Sequence, residues 1–246
     1  MKKNTKIIAT IGPAVNNKET LQAMVDFGVN VFRLNMSHGD TVSKQNLYDL
    51  VKSLDVSQGK RPAILTDLAG PKIRITNVPN NFSLSEGQSI IITNEKDIEG
   101  DHISVTENIG FTKVSKGAKI LINDGRIQLE VTKILSKQSL KCNTLIGGEV
   151  QLRKGVNFPG ITLDVPTLTA DDKQDLIMAL ESGADWIALS FVRSANDLDH
   201  VYKIMDAHGK RLPVMAKIEK WEALNNLEAI TDSFDGCLLY TSPSPR

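Results

Sequence analysis

The chain has 246 residues, with 29 Lys and Arg against 29 Asp and Glu, so its formal net charge is zero. It therefore lacks the basic surplus that non-specific binding to nucleic acid or anionic membranes requires, and no apolar run approaches the roughly 18–20 residues of a membrane helix. Hydrophobic residues at 41% and charged residues at 24% are globular values, and Cys142 and Cys237 share neither metal-ligand nor redox spacing.

In chain order, the basic Met1–Lys6 segment leads into the β-rich run Lys6–Ile11, stopped by Gly12-Pro13 and too short for a signal peptide. The chain is thus expected to be cytoplasmic. Asn16 or Asn17 caps a predicted helix whose buried stripe is Leu21, Met24 and Val25, ending near Gly28. A strand over Val29–Ser37, a helix over Ser43–Leu54 and a strand over Ala63–Leu68 follow. Alternating strands and helices imply parallel pairing, in a barrel or a doubly wound sheet. From Ile73 to Pro159 helical periodicity vanishes, and short alternating runs appear at Ser89–Thr93, Lys119–Asn123, Arg126–Ile134 and Ser139–Leu145. Asp124-Gly125 suits the positive φ angles of a type I′ hairpin turn. The segment reads as an inserted all-β module over residues 72–159, hinged on its host. The βα alternation then resumes: a helix capped by Thr169 with Asp171 and Asp172 in its first turn, its buried face Leu176, Ile177 and Leu180 and its end at Gly183; a strand over Trp186–Phe191; a helix from a Ser194 cap to Gly209; a strand over Val214–Ile218; a helix over Trp221–Ile230; and a strand over Phe234–Leu239. A (β/α) barrel needs eight strands and roughly 250 residues before insertions. The expected fold is α/β, an incomplete (β/α)8 TIM barrel of about six strands over residues 1–71 and 160–236, with an all-β lid after the third strand.

Three strand ends carry chemistry. In Val31–Gly39, Arg33, Asn35 and Ser37 share one face of a strand. Half-buried strands alternate polar with apolar anyway, but a parallel barrel covers both faces and favours continuous apolar sequence. A polar face ending in Ser37-His38-Gly39 at the C-terminal mouth, where barrel enzymes place their sites, points to function. Arg donates two bonds at once to phosphate or carboxylate. Asp67 ends the third strand, with Lys72 and Arg74 just beyond Gly70-Pro71, adding a second wall to a cationic pocket. Lys217 and Glu219, two apart, face one side of the fifth strand, where charge is costly to bury. A lone Lys-x-Glu also suits a surface ion pair; at a barrel mouth, its carboxylate suits Mg²⁺, a hard ion that prefers oxygen ligands and substrate phosphates. His102 reads as a loop residue, with His200 on a helix and His208 near a helix end. Dinucleotide, P-loop, Gly-x-Ser-x-Gly and zinc motifs are absent from the sequence.

At these stretches, and at Thr10–Pro13 and Lys154–Gly160, the sequence closely resembles the pyruvate kinase family over about Lys3 to Gly236. The resemblance implies transfer of the phosphoryl group of phosphoenolpyruvate to ADP, giving ATP and pyruvate at the last step of glycolysis, with Mg²⁺ or Mn²⁺ as cofactor. It implies Arg33 on the transferring phosphoryl group, Lys217 on that group and the enolate oxygen, and Glu219 on Mg²⁺. It also implies Thr10, Pro13, His38, Arg74 and Lys154 on the nucleotide side, Lys154 arriving as the lid closes. Asn35, Ser37, Asp67 and the Leu68 carbonyl match the monovalent-cation site. Two departures matter. Where many members carry Glu this chain has Lys72, and where they carry Thr-Lys it has Leu68-Ala69; members with Lys resemble the potassium-independent branch, so the Lys72 ammonium is expected to replace K⁺. Past Gly236 the run to Arg246 has a foreign look and lacks the family's Ala-Arg-Gly-Asp. Residues 237–246 are thus expected to be a non-native tail on a truncated chain, inert and poorly soluble, without the C-terminal domain of a homotetrameric family. A Mg²⁺-dependent barrel lyase or aldolase and a non-catalytic ligand-binding fragment are the alternatives.

Overall fold

The computed structural model describes residues 5–55, 61–79, 82–95, 101–106, 109–161, 163 and 165–239. In chain order these form β1 (Ile8–Thr10), α1 (Lys18–Asp26), β2 (Val31–Asn35), α2 (Thr41–Lys52) and β3 (Ala63–Asp67). Nine strands follow: β4 (Ile75–Asn77), β5 (Ser83–Leu84), β6 (Ser89–Thr93), β7 (His102–Val105), β8 (Lys119–Ile122), β9 (Ile127–Ile134), β10 (Ser139–Ile146), β11 (Gly148–Glu149) and β12 (Val156–Asn157). The chain then returns to alternation with α3 (Ala170–Glu181), β13 (Trp186–Leu189), α4 (Asp197–Ala207), β14 (Val214–Ile218), α5 (Trp221–Asn225), α6 (Leu227–Ser233) and β15 (Gly236–Leu239). These divide into two compact units, one of residues 1–71 and 167–246, the other of residues 72–166.

The first unit is α/β. Its six strands run parallel in the order β1-β2-β3-β13-β14-β15, so sequence neighbours are spatial neighbours throughout, the second unit being spliced between β3 and β13. Buried Phe32, Leu34 and Ile64 on the strands meet Leu21, Tyr48, Val51, Leu176 and Val201 on the helices in one core. The helix starts follow from local polar chemistry. Asn17 caps α1 by accepting from Thr20 N, and Asp40 caps α2 through Ser43 N, each satisfying an orphan donor of the first turn. Thr169 and Asp172 form a reciprocal capping box at α3. Asp172 is buried rather than solvated, because its other oxygen accepts from Gly70 N at 2.9 Å.

Several predicted elements are corrected. The strand expected over Trp186–Phe191 stops at Leu189, because Phe191 takes φ +58° and leaves extended geometry. Ser194 does not cap α4; the helix starts at Asp197, whose carboxylate accepts from the Arg193 and Ser194 amides. The helix expected over Trp221–Ile230 is two short ones, broken at Asn226 (φ −117°, ψ 17°). His102 begins strand β7 instead of lying in a loop. Cys237, Leu238 and Leu239 pair with Ala216, Lys217 and Ile218 as ordinary parallel strand, so the sheet takes up the first part of the expected foreign tail. The rest of that tail, 240–246, lies outside the described residues.

The second unit is built on a seven-stranded sheet ordered β12-β8-β9-β10-β6-β7-β4, antiparallel except between β6 and β7, plus the small β5–β11 pair. Arg126 N donates to Asn123 O across Asp124 (φ +57°) and Gly125 (φ +86°), the type I′ pattern that lets β8 and β9 twist together. Ile90, Ile92, Ile120, Ile122, Leu129, Val131 and Leu140 supply alternate inward side chains. The unit continues past the expected boundary at Pro159, because Leu163 joins its core and Ile161 and Val165 pack on it.

Candidate functional site

The six parallel strands bring polar groups to one end of their sheet. Along β2, Phe32 and Leu34 are buried on one side, which turns Arg33 and Asn35 to the other. Register then aligns Thr10 with Arg33 and Asn35 with Asp67. Arg33 Nε donates to Asp67 Oδ2 at 2.7 Å, Nη2 stands 2.5 Å from the same oxygen, and Nη1 donates to Thr10 Oγ1 at 2.8 Å. From β14, Lys217 Nζ lies 3.2 Å from Asp67 Oδ1 and 3.3 Å from Glu219 Oε1. Arg33, Asp67 and Lys217, drawn from three strands, and Glu219, just past the end of β14, thus form one chain of alternating charge.

Burial makes this cluster informative. Asp67 is 1% exposed and Lys217 6%. Charges so far from water are kept only when paired and hydrogen-bonded. Asp67 balances two cations, while Arg33 and Glu219 keep partial exposure at 19% and 14% of their side chains. The tips open to solvent are therefore a guanidinium and a carboxylate, with an ammonium between and behind them. A guanidinium backed by an ammonium suits an anionic group that offers several oxygens.

Two groups that sequence reasoning missed complete the cluster. Ser190 Oγ accepts from Lys217 Nζ at 2.8 Å and donates to the Leu68 carbonyl at 2.6 Å. Phe191 N donates to Glu219 Oε2 at 3.2 Å. The signal was a small hydroxyl residue directly after an apolar run, which the pairing of Leu189 with Ala216 sets beside Lys217. Reading the strand through Phe191 hid it.

The remaining predicted residues fall as follows. Pro13 opens a short 3₁₀ turn after β1. His38 is exposed beyond β2, and Asn35 Oδ1 accepts from Ser37 N at 3.1 Å. Lys72, Arg74 and Lys154 belong to the second unit. There Arg74 Nη1 donates to Arg153 O at 2.9 Å, Ile75 N donates to the Lys154 carbonyl, and the Lys72 stem runs beside Gly155. Arg74 and Lys154 are thereby held on one antiparallel strap.

As a magnesium ligand set, the first unit offers the Glu219 carboxylate; among the described residues no group of three or more His, Cys, Asp or Glu is placed to hold a metal ion. One carboxylate suits Mg²⁺, which keeps most of its shell for water and substrate oxygens. The monovalent-cation oxygens are right in kind, but three of the four residues already have theirs engaged within the chain. Asp67 already carries two positive charges, Leu68 O accepts from Ser190, and Asn35 Oδ1 accepts from Ser37.

No helix among the described residues is long and apolar enough to cross a membrane. The model of the family described as pyruvate kinase, barrel domain, matches residues 2–241, which takes in Cys237 to Thr241 of the expected tail. The chain is 39% identical over 242 residues to pyruvate kinase of Corynebacterium glutamicum, covering 97% of this chain and 50% of that protein. It is 37% identical over 248 residues to pyruvate kinase 2 of a Synechocystis strain, covering 96% of this chain and 41% of the relative. Geobacillus stearothermophilus pyruvate kinase is 36% identical over 244 residues, at 97% and 41%. The chain thus spans about half the length, or less, of the curated relatives it matches. With a family match along almost its whole length and an acid–base cluster at the strand ends, the chain belongs to the pyruvate kinase family.

Proposed function

We propose that this chain carries the phosphoenolpyruvate-binding face of a pyruvate kinase, a cytoplasmic enzyme that transfers the phosphoryl group to ADP with release of pyruvate, the chain by itself being expected to bind without turning over. The observation that carries the reading is the convergence of Arg33, Asp67 and Lys217 from β2, β3 and β14 with Glu219 from just past the end of β14. Phosphoryl transfer needs little covalent chemistry from a protein; it needs alignment and neutralisation of spreading negative charge. The Arg33 fork, already orientated by Thr10, grips the phosphoryl oxygens as its bonds to Asp67 are exchanged for bonds to the ligand. Lys217 donates to the phosphoryl group and to the enolate oxygen as that oxygen takes up the charge of the broken P–O bond. Glu219, with water and substrate oxygens, would hold Mg²⁺ or Mn²⁺, which when bound supplies positive charge to the transferring group.

The six parallel strands are read as part of a (β/α)8 barrel, supported by their in-order parallel pairing, and the β-rich unit as its lid, supported by its separate core. Thr10, Pro13, His38, Arg74 and Lys154 are assigned to the nucleotide, on their match to the family pattern. Lys72 is assigned the charge role of K⁺, on its match to the family pattern. A homotetramer remains part of the family reading.

Calorimetry of the purified chain with phosphoenolpyruvate and Mg²⁺ tests the assignment. Saturable one-to-one binding, abolished by Arg33→Met and by Lys217→Met, is expected. Heat that neither substitution changes would reject it. ATP formed by the full-length enzyme only when ADP and phosphoenolpyruvate are both present separates this reading from the lyase one, which forms none.

A further inference from the structure

The charged cluster rests on a two-residue turn with a strained backbone. After β13 ends at Leu189, Phe191 takes φ +58°. For a bulky residue that value is an outlier, and such residues persist where their surroundings over-determine them. Three contacts do so here. The Phe191 N–H donates to Glu219 Oε2 at 3.2 Å. The ring lies against Gly70, where an added Cβ would come within 2.7 Å of both Phe191 Cδ2 and Ser190 Cβ. Lys220 Nζ stands 5.3 Å from the ring centroid. On the preceding residue, the Ser190 hydroxyl links Lys217 to the Leu68 carbonyl. A turn that only ended the strand would take Gly or Asn at this position, since both enter the left-handed region at little cost.

We propose that the left-handed backbone at Phe191 is a positioning device for the phosphoryl site. It aims the Phe191 N–H at Glu219 and sets the Ser190 hydroxyl beside Lys217, so that ammonium and carboxylate stand 3.3 Å apart before any ligand arrives. Phe191 acts through Glu219 and through Ser190, touching no reacting atom. The functional half of the proposal rests on the phosphoenolpyruvate reading; the backbone half does not.

Two substitutions separate backbone from ring. Phe191→Asn deletes the ring but keeps a residue that tolerates positive φ, whereas Phe191→Val deletes the ring and installs a β-branched side chain that does not. The readouts are amide hydrogen exchange at residue 191 in ¹⁵N-labelled chain and calorimetry with phosphoenolpyruvate, each with and without Mg²⁺. F191N is expected to keep the amide protected and to preserve the gain in phosphoenolpyruvate affinity that Mg²⁺ confers. F191V is expected to lose about tenfold in both, the worth of one N–H bond to a carboxylate, with a smaller change in Mg²⁺-free binding. Glu219→Gln in the otherwise unaltered chain is expected to lower protection of the same amide, a test that needs neither Phe191 variant to fold. Matching behaviour of F191N and F191V, or an amide whose exchange ignores E219Q, overturns the positioning claim. Wild-type chain silent to phosphoenolpyruvate, with the exchange contrast intact, overturns the substrate reading and the functional half with it, and upholds the backbone device.

Discussion

Asp67→Asn removes one charge from the middle of the cluster, and its cost follows from the geometry. The carboxylate is 1% exposed and receives Arg33 at 2.7 and 2.5 Å on one oxygen and Lys217 at 3.2 Å on the other. Its neutralisation leaves the buried Lys217 ammonium with Glu219 as its remaining charged partner, at 3.3 Å. Stripping one partner from a buried pair costs roughly 3–5 kcal/mol. Arg33 can turn to solvent and Glu219 still faces Lys217, so the lower end, about 3 kcal/mol, is expected. Urea unfolding followed by tryptophan fluorescence reads this unit specifically, because Trp186 and Trp221, the two tryptophans of the chain, both lie in it. With a slope of about 2 kcal/mol/M, the midpoint should fall by about 1.5 M. Adding Lys217→Met removes the stranded charge, so the double variant should recover about 1–3 kcal/mol relative to additivity. A D67N midpoint indistinguishable from wild type, or strict additivity, would refute the view that Asp67 holds these cations.

Three further outcomes are expected. Burial pushes the Asp175 carboxyl above its ordinary value, with Lys44 partly offsetting the shift; the folded chain therefore holds this proton more tightly than the unfolded chain. That contribution to stability is full below the unfolded value and fades as pH rises through the folded one, so Asp175→Asn should gain on wild type in urea titrations as pH climbs through the mildly acidic range. Burial also pushes the Cys142 thiol up to about 12, whereas Cys237 is exposed; a thiol-reactive disulfide reagent at pH 8 should modify Cys237 rapidly and Cys142 only after denaturation, and fast reaction at both would contradict the packing of β10. Phosphoenolpyruvate affinity should be the same in potassium buffer and in tetramethylammonium buffer, and Lys72→Glu should make binding depend on potassium; binding by the unaltered chain that potassium strengthens markedly would remove the role assigned to Lys72.

How far the sequence could be read depended on whether the determining forces were local. Asn17 and Thr169 were legible as caps because a cap is decided within one helical turn. Asp124-Gly125 was legible because its φ requirement lies in two residues. Arg33, Asp67, Lys217 and Glu219 could be picked out because charge at the end of an apolar strand violates the pattern around it. What escaped was non-local. Asp172 could be read as a first-turn acid, but not as a buried one bonded to Gly70, 102 positions away. Ser190 and Phe191 looked like the end of a strand, because nothing in their own sequence reveals that Glu219 and Gly70 hold Phe191 in the left-handed region. The break at Asn226 and the late start of α4 are tertiary choices of the same kind.

The most direct check is distance from phosphorus. Solid-state NMR can measure ³¹P–¹⁵N dipolar dephasing on the chain labelled at arginine and lysine nitrogens and loaded with phosphoenolpyruvate. The arrangement described here predicts dephasing of the phosphoryl signal by one guanidinium and one ammonium, each contribution vanishing separately in Arg33→Met and Lys217→Met. A phosphorus that neither nitrogen dephases, or one whose dephasing survives both substitutions, would contradict it.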